Sequence, residues 1–266
     1  MNRKKLLISL AMAMLSMAGL AADNLPALRV QGKNLVDANG KTVVLHGVMD
    51  TPNRYFNGWR WQQWKADYSE ADIKPCLEYF SKQFKAITDK EQGAYCTVFR
   101  LHMDPCWTND PTRKAANEAD ISAFNMARYR LFLQKLYIPL IKDAIAHGLY
   151  VIVRPPGVCP QDISVGDKYN RYLKSIWKTF AADEYIQQNS GLISIELANE
   201  PVRVHLSDGK DSEKALHDYF QPVVDEIRAQ GFKGIIWVPG AGYQSQYQNY
   251  AKHPISAAKA FHTAFR

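Results

Sequence analysis

Residues 192–201 read LISIELANEP, an apolar run that ends in two polar residues and a proline. A run of this length and composition is typical of a strand buried on both faces, as the strands of a parallel sheet are. The triplet Asn199-Glu200-Pro201 is a weak signal by itself, because a loop before a helix-starting proline reads the same way. After a buried strand, it predicts that Glu200 lies at the carboxyl end of the sheet, where barrel enzymes hold their catalytic groups.

Similar apolar runs recur along the chain and, with the first, are spaced 42 to 54 residues apart. They begin near Leu45, Cys96, Tyr150, Ile193 and Ile235. Helical patterns lie between them, and the clearest cover 121–147 and 212–230. Pro139 and Pro222 fall inside these two patterns and predict a kink or a break in each helix. Strands that alternate with helices indicate a parallel sheet with right-handed crossovers.

Two architectures fit such a sheet, a doubly wound sheet and a barrel. The first strand is followed by no Gly-x-Gly-x-x-Gly, and no Walker loop occurs in the chain. Polar and aromatic residues instead follow every predicted strand, where a barrel places its active site. We therefore predict an α/β fold, a (β/α)8 TIM barrel of which this chain supplies about five βα units. Ahead of it, two apolar runs within 28–45 flank Asn39-Gly40, which predicts a hairpin.

The groups at the predicted strand ends suit a carbohydrate. Sugar rings stack on Trp and Tyr, their hydroxyls need polar partners, and glycoside cleavage needs two carboxyl groups, one an acid of raised pKa. Glu200 is the predicted catalytic acid. The predicted substrate-binding residues are Asn199, Arg100, His46, His102, Trp59, Trp107, Trp237 and Tyr243.

Several of these residues have structural interpretations that remain open. Arg100 could form an ion pair inside the barrel, and His46 and His102 could be ordinary buried histidines. Trp59 belongs to a tryptophan-rich loop, some of which could pack in the core. Trp237 could point into the barrel rather than into the cleft.

The amino terminus has the pattern of a secretory signal peptide. Arg3, Lys4 and Lys5 precede an apolar run from Leu6 to Leu20, and small residues predict a cut after Ala21. The alternative is an uncleaved membrane anchor, although the run is short for a spanning helix. We expect a secreted, periplasmic or cell-surface protein with no membrane span after cleavage.

Charge and cysteine content limit the partners. Without residues 1–21, the remaining 30 basic and 26 acidic residues give a net charge of +4, which is weak for a nucleic-acid-binding protein. The four cysteines allow three disulfide connectivities. Cys106 with Cys159 is weakly favoured, because both are expected on neighbouring loops, and four free thiols are the alternative. No two cysteines have zinc-ligand spacing, so no metal site is predicted.

Taken together, the hairpin leading to Leu45-His46-Gly47-Val48, the strand Phe99-Arg100-Leu101, the stretch 195–201 and the strand 236–240 resemble glycoside hydrolase family 5, the cellulase family. Their details resemble secreted endoglucanases of Bacteroidetes. The resemblance implies a retaining mechanism without metal or cofactor. It implies that Glu200 is acid and base, that Asn199 holds the sugar, and that Arg100 orients a nucleophilic glutamate.

The chain departs from that family in two places. Many members carry a histidine at the end of the third strand, where this chain reads Arg154-Pro155-Pro156-Gly157. The family's nucleophile follows the seventh strand, whereas only 26 residues follow Gly240 here. We expect 22–255 to be the amino-terminal part of the catalytic domain. Residues 256–266 do not resemble a sixth strand, which suggests a frameshift, a premature stop or a clone boundary.

The leading functional hypothesis is endo-acting hydrolysis of β-1,4-glucan by the full-length parent, with this chain inactive alone. Hydrolysis of mannan or xyloglucan by the same fold is an alternative. A carbohydrate-binding fragment without catalysis is another, with 55–64 as its aromatic surface. An oxidoreductase is disfavoured by the missing phosphate-binding loop. The sequence does not predict the oligomeric state.

Overall fold

The computed structural model describes residues 25–53, residues 68–257 and a last strand at Thr263–Phe265. The strands are β1 Arg29–Gln31, β2 Asn34–Val36, β3 Gly47–Asp50, β4 Val98–His102, β5 Tyr150–Arg154, β6 Asp162–Ser164, β7 Ile193–Glu196, β8 Arg203–His205, β9 Ile236–Val238 and β10 Thr263–Phe265. The α-helices are α1 Ile73–Ile87, α2 Pro105–Thr108, α3 Met126–Phe132, α4 Ile138–Ala146, α5 Lys168–Ala181, α6 Glu184–Gln188, α7 Ala215–Ala229, α8 Ala241–Gln244 and α9 Asn249–Lys252.

Six strands form one parallel sheet in the order β3, β4, β5, β7, β9, β10. Each strand pairs with the next sheet strand along the chain, and the order never reverses as it does in a doubly wound sheet. The prediction of barrel-type βα units is confirmed, and the five predicted strands begin within two residues of the observed ones. Within 256–266, which does not resemble a sixth strand in sequence, β10 pairs in parallel register with β9. The suggested origin of this segment stays a prediction.

Alternate residues of each strand face opposite sides of the sheet, and the outward-facing ones are apolar. They pack against the helices in the main core, which buries Phe99, Leu101, Val151, Val153, Ile193, Ile195, Ile236 and Val238. The helices contribute regularly spaced apolar residues, among them Phe80 and Phe84 of α1. Because the apolar residues of each strand pack against this outer layer, the residues that alternate with them face the barrel interior.

The interior is apolar at the amino ends of the strands. Val98, Tyr150 and Ile235 form a second, smaller core with Leu28 of the segment before β1. The predicted turn at Asn39-Gly40 is present: Val36 bridges Thr42, and the Val43 amide donates to Leu35 at 2.9 Å. The main hairpin, however, turns earlier, between β1 and β2.

The two prolines act differently on their helices. A π-helical segment, Leu133–Tyr137, separates α3 from α4 immediately before Pro139, as expected when a proline removes a backbone donor. The predicted irregularity therefore occurs there. Pro222 instead lies inside the continuous helix α7, so the chain does not break there, and a kink at that position stays a prediction.

All four cysteines are free, so the favoured disulfide between Cys106 and Cys159 is not formed. The two residues face different surroundings: the backbone carbonyl of Cys106 accepts from the Tyr68 amide, whereas Cys159 donates its amide to Asn199. Within residues 25–53 and 68–257, no helix combines the length and the apolar composition that a bilayer crossing requires.

The outer core generates the first testable prediction. Phe84 is fully buried, and its ring lies 4.9 Å from that of Phe99. Phe84→Ala should lower the free energy of unfolding by about 3 to 5 kcal/mol, because it leaves a cavity between α1 and β4. Urea denaturation would measure the loss. Tyr95→Ala is the control, since Tyr95 is 55% exposed, and a loss of similar size there would contradict the explanation.

Candidate active site

The inward-facing side chains are apolar at the amino ends of the strands and polar at their carboxyl ends. In the strand register, His102 of β4 pairs with Arg154 of β5, and Arg100 lies one inward position earlier. Glu196 is the last residue of β7. Strand parity directs all four side chains to the barrel interior, above its apolar floor. Four polar groups on three strands thus converge on one space.

Arg100 and Glu196 form a bidentate ion pair across the intervening strand β5. The Arg100 Nε donates to Glu196 Oε2 and its Nη2 donates to Oε1, both at 2.6 Å. The Glu196 side chain is 1% exposed and that of Arg100 is 15% exposed. The same Nη2 also donates to Asn199 Oδ1 at 3.0 Å. The structural interpretation of Arg100 as an interior ion pair is therefore confirmed, and the pair also holds Asn199.

Arg154 and His102 form a second pair beside the first. The Arg154 Nη2 lies 3.1 Å from His102 Nε2 and donates to the Gly157 carbonyl at 3.1 Å. Burial, and then the Arg154 and Arg100 charges, hold the His102 pKa well below its usual range. Burial and the Arg100 charge lower the Arg154 pKa to about 10. A neutral His102 thus accepts from a buried, charged Arg154 that forms no ion pair within the described residues.

Glu200 is exposed and has a left-handed backbone, with φ of 54°. For a residue other than glycine, this conformation is unfavourable by roughly 1–2 kcal/mol, so its surroundings must impose it. The Asn199 carbonyl accepts from the Cys159 amide at 3.1 Å, and the Pro201 carbonyl accepts from the Tyr243 amide at 3.0 Å. Hydrogen bonds therefore hold the backbone on both sides of Glu200.

Glu200 stands between two cavities, each of about 570 Å³. The arginine cavity is lined by Met49, Arg100, His102, Asn117, Glu118, Ala119, Arg154, Val158, Asn199 and Glu200. The tyrosine cavity is lined by Asn117, Ala119, Asp120, Val158, Cys159, Pro160, Gln161, Asn199, Glu200, Val202 and Tyr243. A carboxyl group at the junction of two cavities can reach a bond that joins two bound units.

Of the predicted site residues, Glu200, Asn199, Arg100, His102 and Tyr243 are thus brought together. Tyr243 is 62% exposed, and its loop is attached by backbone hydrogen bonds to the residues after Glu200. Trp59 lies outside the described residues, so its predicted role stays a prediction. Among the described residues, no group of three or more His, Cys, Asp or Glu side chains is placed to hold a metal ion.

Three predicted residues lie elsewhere, and these predictions were wrong. His46 precedes β3 rather than following it, and its backbone pairs with Thr97 at the amino end of the sheet. Trp107 is fully buried, donates to the Pro52 carbonyl at 2.8 Å and stacks on Tyr68. Trp237 packs on the smaller core, and its indole donates to Ser194 Oγ at 2.8 Å.

Comparison with protein-family models shows to which family the chain belongs. The model of the cellulase family, glycosyl hydrolase family 5, matches residues 76–263. This chain belongs to glycosyl hydrolase family 5. The match includes β4 to β9 and every lining residue of the two cavities except Met49, and it extends into β10. No curated protein matches the chain.

Solved structures with the same fold include glucanases and a mannanase. The catalytic domain of a Thermobifida fusca endoglucanase has 21% identity and a TM-score of 0.54, covering 93% of this chain and 66% of its own. A β-glucanase from Saccharophagus degradans has 15% identity and a TM-score of 0.57, covering 91% and 61%. A β-mannanase from Thermomonospora fusca has 15% identity and a TM-score of 0.53, covering 90% and 64%. The chain therefore spans slightly less than two thirds of the length of these family 5 structures.

Three residues of this family 5 site were absent from the predicted set. Glu196 could have been found, because its alternation with Ser194 places it on the inward face of the strand. Arg154 was seen only as a departure from the family pattern. Glu118 lies in the loop between α2 and α3, and nothing in its local sequence points to the cleft.

The Arg100–Glu196 pair generates a stability prediction. Arg100→Met should lower the free energy of unfolding by about 3 to 5 kcal/mol, because it leaves the buried Glu196 carboxylate without its main partner. Adding Glu196→Gln should recover part of the loss. Chemical denaturation would measure both variants. Lys74→Met is the control, since the Lys74–Glu78 pair is 86% and 60% exposed and should contribute less than about 1 kcal/mol.

The lowered His102 pKa generates a pH prediction. Below the ordinary histidine pKa of about 6.5, the unfolded chain takes up a proton that the folded His102 refuses. The free energy of unfolding should therefore fall as pH falls from 7 to 5, by up to about 1.4 kcal/mol per pH unit from this residue. His102→Gln should make that slope shallower. Denaturation curves at several pH values with equal slopes for parent and variant would contradict the prediction.

Proposed function

We propose that this chain carries the acid/base part of a retaining endo-β-1,4-glucanase. The observation that carries the proposal is the placement of Glu200. It is an exposed carboxyl group in a left-handed backbone conformation, held between two cavities and next to a fixed Asn199. A glycosidase needs such a group beside the bond that it cleaves. Because the chain spans less than two thirds of the related structures, the proposal concerns the activity of the whole protein.

In the proposed reaction, Glu200 donates its proton to the glycosidic oxygen as the bond to the anomeric carbon breaks. A second carboxylate, about 5–5.5 Å away, attacks that carbon and forms a glycosyl ester. Glu200 then takes a proton from water, and the water oxygen attacks the anomeric carbon and releases the second carboxylate. Both groups are thereby regenerated. The resemblance to the family implies that the second carboxylate follows a later strand of the barrel.

Asn199 is prepared for a particular task in this scheme. Its Oδ1 accepts from Arg100, so its Nδ2 group is left to donate to a substrate hydroxyl. Arg100 is held in place by both oxygens of Glu196. We propose that this chain of contacts fixes the sugar relative to Glu200, and that Arg100 acts as a positioning residue.

The choice of polysaccharide, β-glucan or β-mannan, is the finer part of the proposal. The related Saccharophagus degradans β-glucanase has been solved with cellotetraose, which favours a β-glucan. β-Mannan is the second candidate, because the Thermomonospora fusca β-mannanase matches the fold with a TM-score of 0.53 against 0.54 for the endoglucanase. The aromatic ring of Tyr243 would stack on a sugar in the tyrosine cavity in either case.

We also propose that the protein is exported and that its substrate is extracellular. The signal pattern of residues 1–21 supports this. Those residues lie outside the described part of the structure.

Reducing-sugar release tests the function directly. The chain, and a version extended through the eighth strand, would be assayed on carboxymethylcellulose and on mannan. Activity on the glucan in the extended version alone would support the proposal. Activity on mannan alone would favour the second candidate, and no activity of the extended version on either polymer would refute both candidates.

Glu200→Gln in the extended version should abolish hydrolysis of unactivated glucan, because the glutamine cannot protonate the leaving oxygen. Binding of cellotetraose should change little. The hydrolysis rate of a substrate with an activated phenolate leaving group should fall less, since the departure of that group needs no proton. Equal activity of parent and Glu200→Gln on unactivated glucan would show that another residue is the acid.

A further inference from the structure

Two carboxyl groups line the arginine cavity, those of Glu200 and Glu118. Glu118 lies in the loop between α2 and α3 and is partly exposed. Its side chain forms no hydrogen bond and no ion pair with the described residues, unlike most buried or half-buried carboxylates of the chain. The cavity thus contains a carboxylate to which the protein gives no donor.

The position of Glu118 is fixed by its backbone. The Glu118 carbonyl accepts from the Val158 amide at 3.2 Å. Gly157, with φ of 80°, makes this approach possible, because a Cβ there would lie 2.3 Å from the same oxygen. Asp120 further ties the loop by accepting from the Ala116 amide at 2.8 Å and the Ser122 amide at 2.9 Å. Glu118 is therefore presented to the cavity by a loop that is attached at both ends.

The surroundings make an unpartnered carboxylate there unfavourable. Burial, and then the nearby Asp104 charge, raise the Glu118 pKa, while Arg154 opposes them. Glu118 is half-buried and lines the cavity, so its carboxylate can accept hydrogen bonds from a ligand that supplies donors. Sugar hydroxyl groups are such donors.

We propose that Glu118 is a specificity-determining residue, whose carboxylate accepts hydrogen bonds from hydroxyls of the sugar that occupies the arginine cavity. The inference rests on the proposed glycosidase function and deepens it. Neutral sugars are favoured at this position over sugars that carry a carboxylate. The Arg100 charge is already neutralised by Glu196, so a sugar carboxylate placed beside Glu118 would meet a like charge.

Isothermal titration of the full chain tests the inference with two probes. One is cellotetraose, and the other is the same tetrasaccharide with its C6 hydroxymethyl groups oxidised to carboxylates. The parent should bind the neutral probe more tightly. Glu118→Gln keeps the size of the side chain but removes its charge. It should weaken binding of the neutral probe by roughly tenfold and improve binding of the oxidised probe.

Glu118→Ala should weaken binding of the neutral probe at least as much. Glu91→Gln is the matched control, since Glu91 is exposed, precedes β4 at the amino end of the sheet and does not line the cavity. The ratio of the two affinities is compared within each variant, so a partial loss of folding cancels. Equal ratios in the parent and Glu118→Gln would overturn the role of Glu118 while leaving the proposed function standing. Failure of the parent to bind either probe would overturn both. An equal change in Glu91→Gln would overturn the inference as a general charge effect.

Discussion

The bidentate ion pair between Arg100 and Glu196 is the interaction on which the site depends. It connects β4 to β7 across the strand between them, inside a space that is closed to water at its lower end. Such a pair stabilises little relative to an apolar replacement, but breaking one partner is strongly unfavourable, so both side chains must keep one geometry. Because the same guanidinium holds Asn199, the geometry of the ion pair is passed to the residue next to Glu200.

A second constraint comes from the backbone around Glu200. Glu200 has a left-handed conformation four residues beyond the end of β7, and the segments after β5 and β9 supply the hydrogen bonds on either side of it. Catalytic groups are often held in such unfavourable conformations. The loop of Tyr243 is bonded to the residues directly after Glu200, so one wall of the tyrosine cavity and the carboxyl group are positioned together.

The arginine cavity contains a buried positive charge, that of Arg154, which forms no ion pair within the described residues. Arg154 lies 3.1 Å from the His102 ring, and His102 is kept neutral. The positive charge of the buried Arg154 opposes protonation of His102, which accepts its hydrogen bond. The positive charge then lies behind Glu118 and Glu200 without forming an ion pair with either, which leaves both carboxyl groups available to a ligand.

The sequence by itself determined the strand–helix alternation, the parallel sheet and the position of Glu200, since these follow from apolar periodicity and from local turn signals. The same signals placed five strand starts within two residues. The roles of the aromatic residues were decided by the tertiary structure. Trp107 follows β4, Trp237 lies within β9 and Tyr243 follows β9. Whether an aromatic ring faces a helix, the barrel interior or the cleft depends on packing between distant segments. The His46 prediction failed because the strand begins at Gly47, so residues expected to follow the strand form its start at the amino end of the sheet. Glu118 could be found only in the folded chain, because a loop from one βα unit reaches the site only by its contact with Gly157 and Val158 of the next.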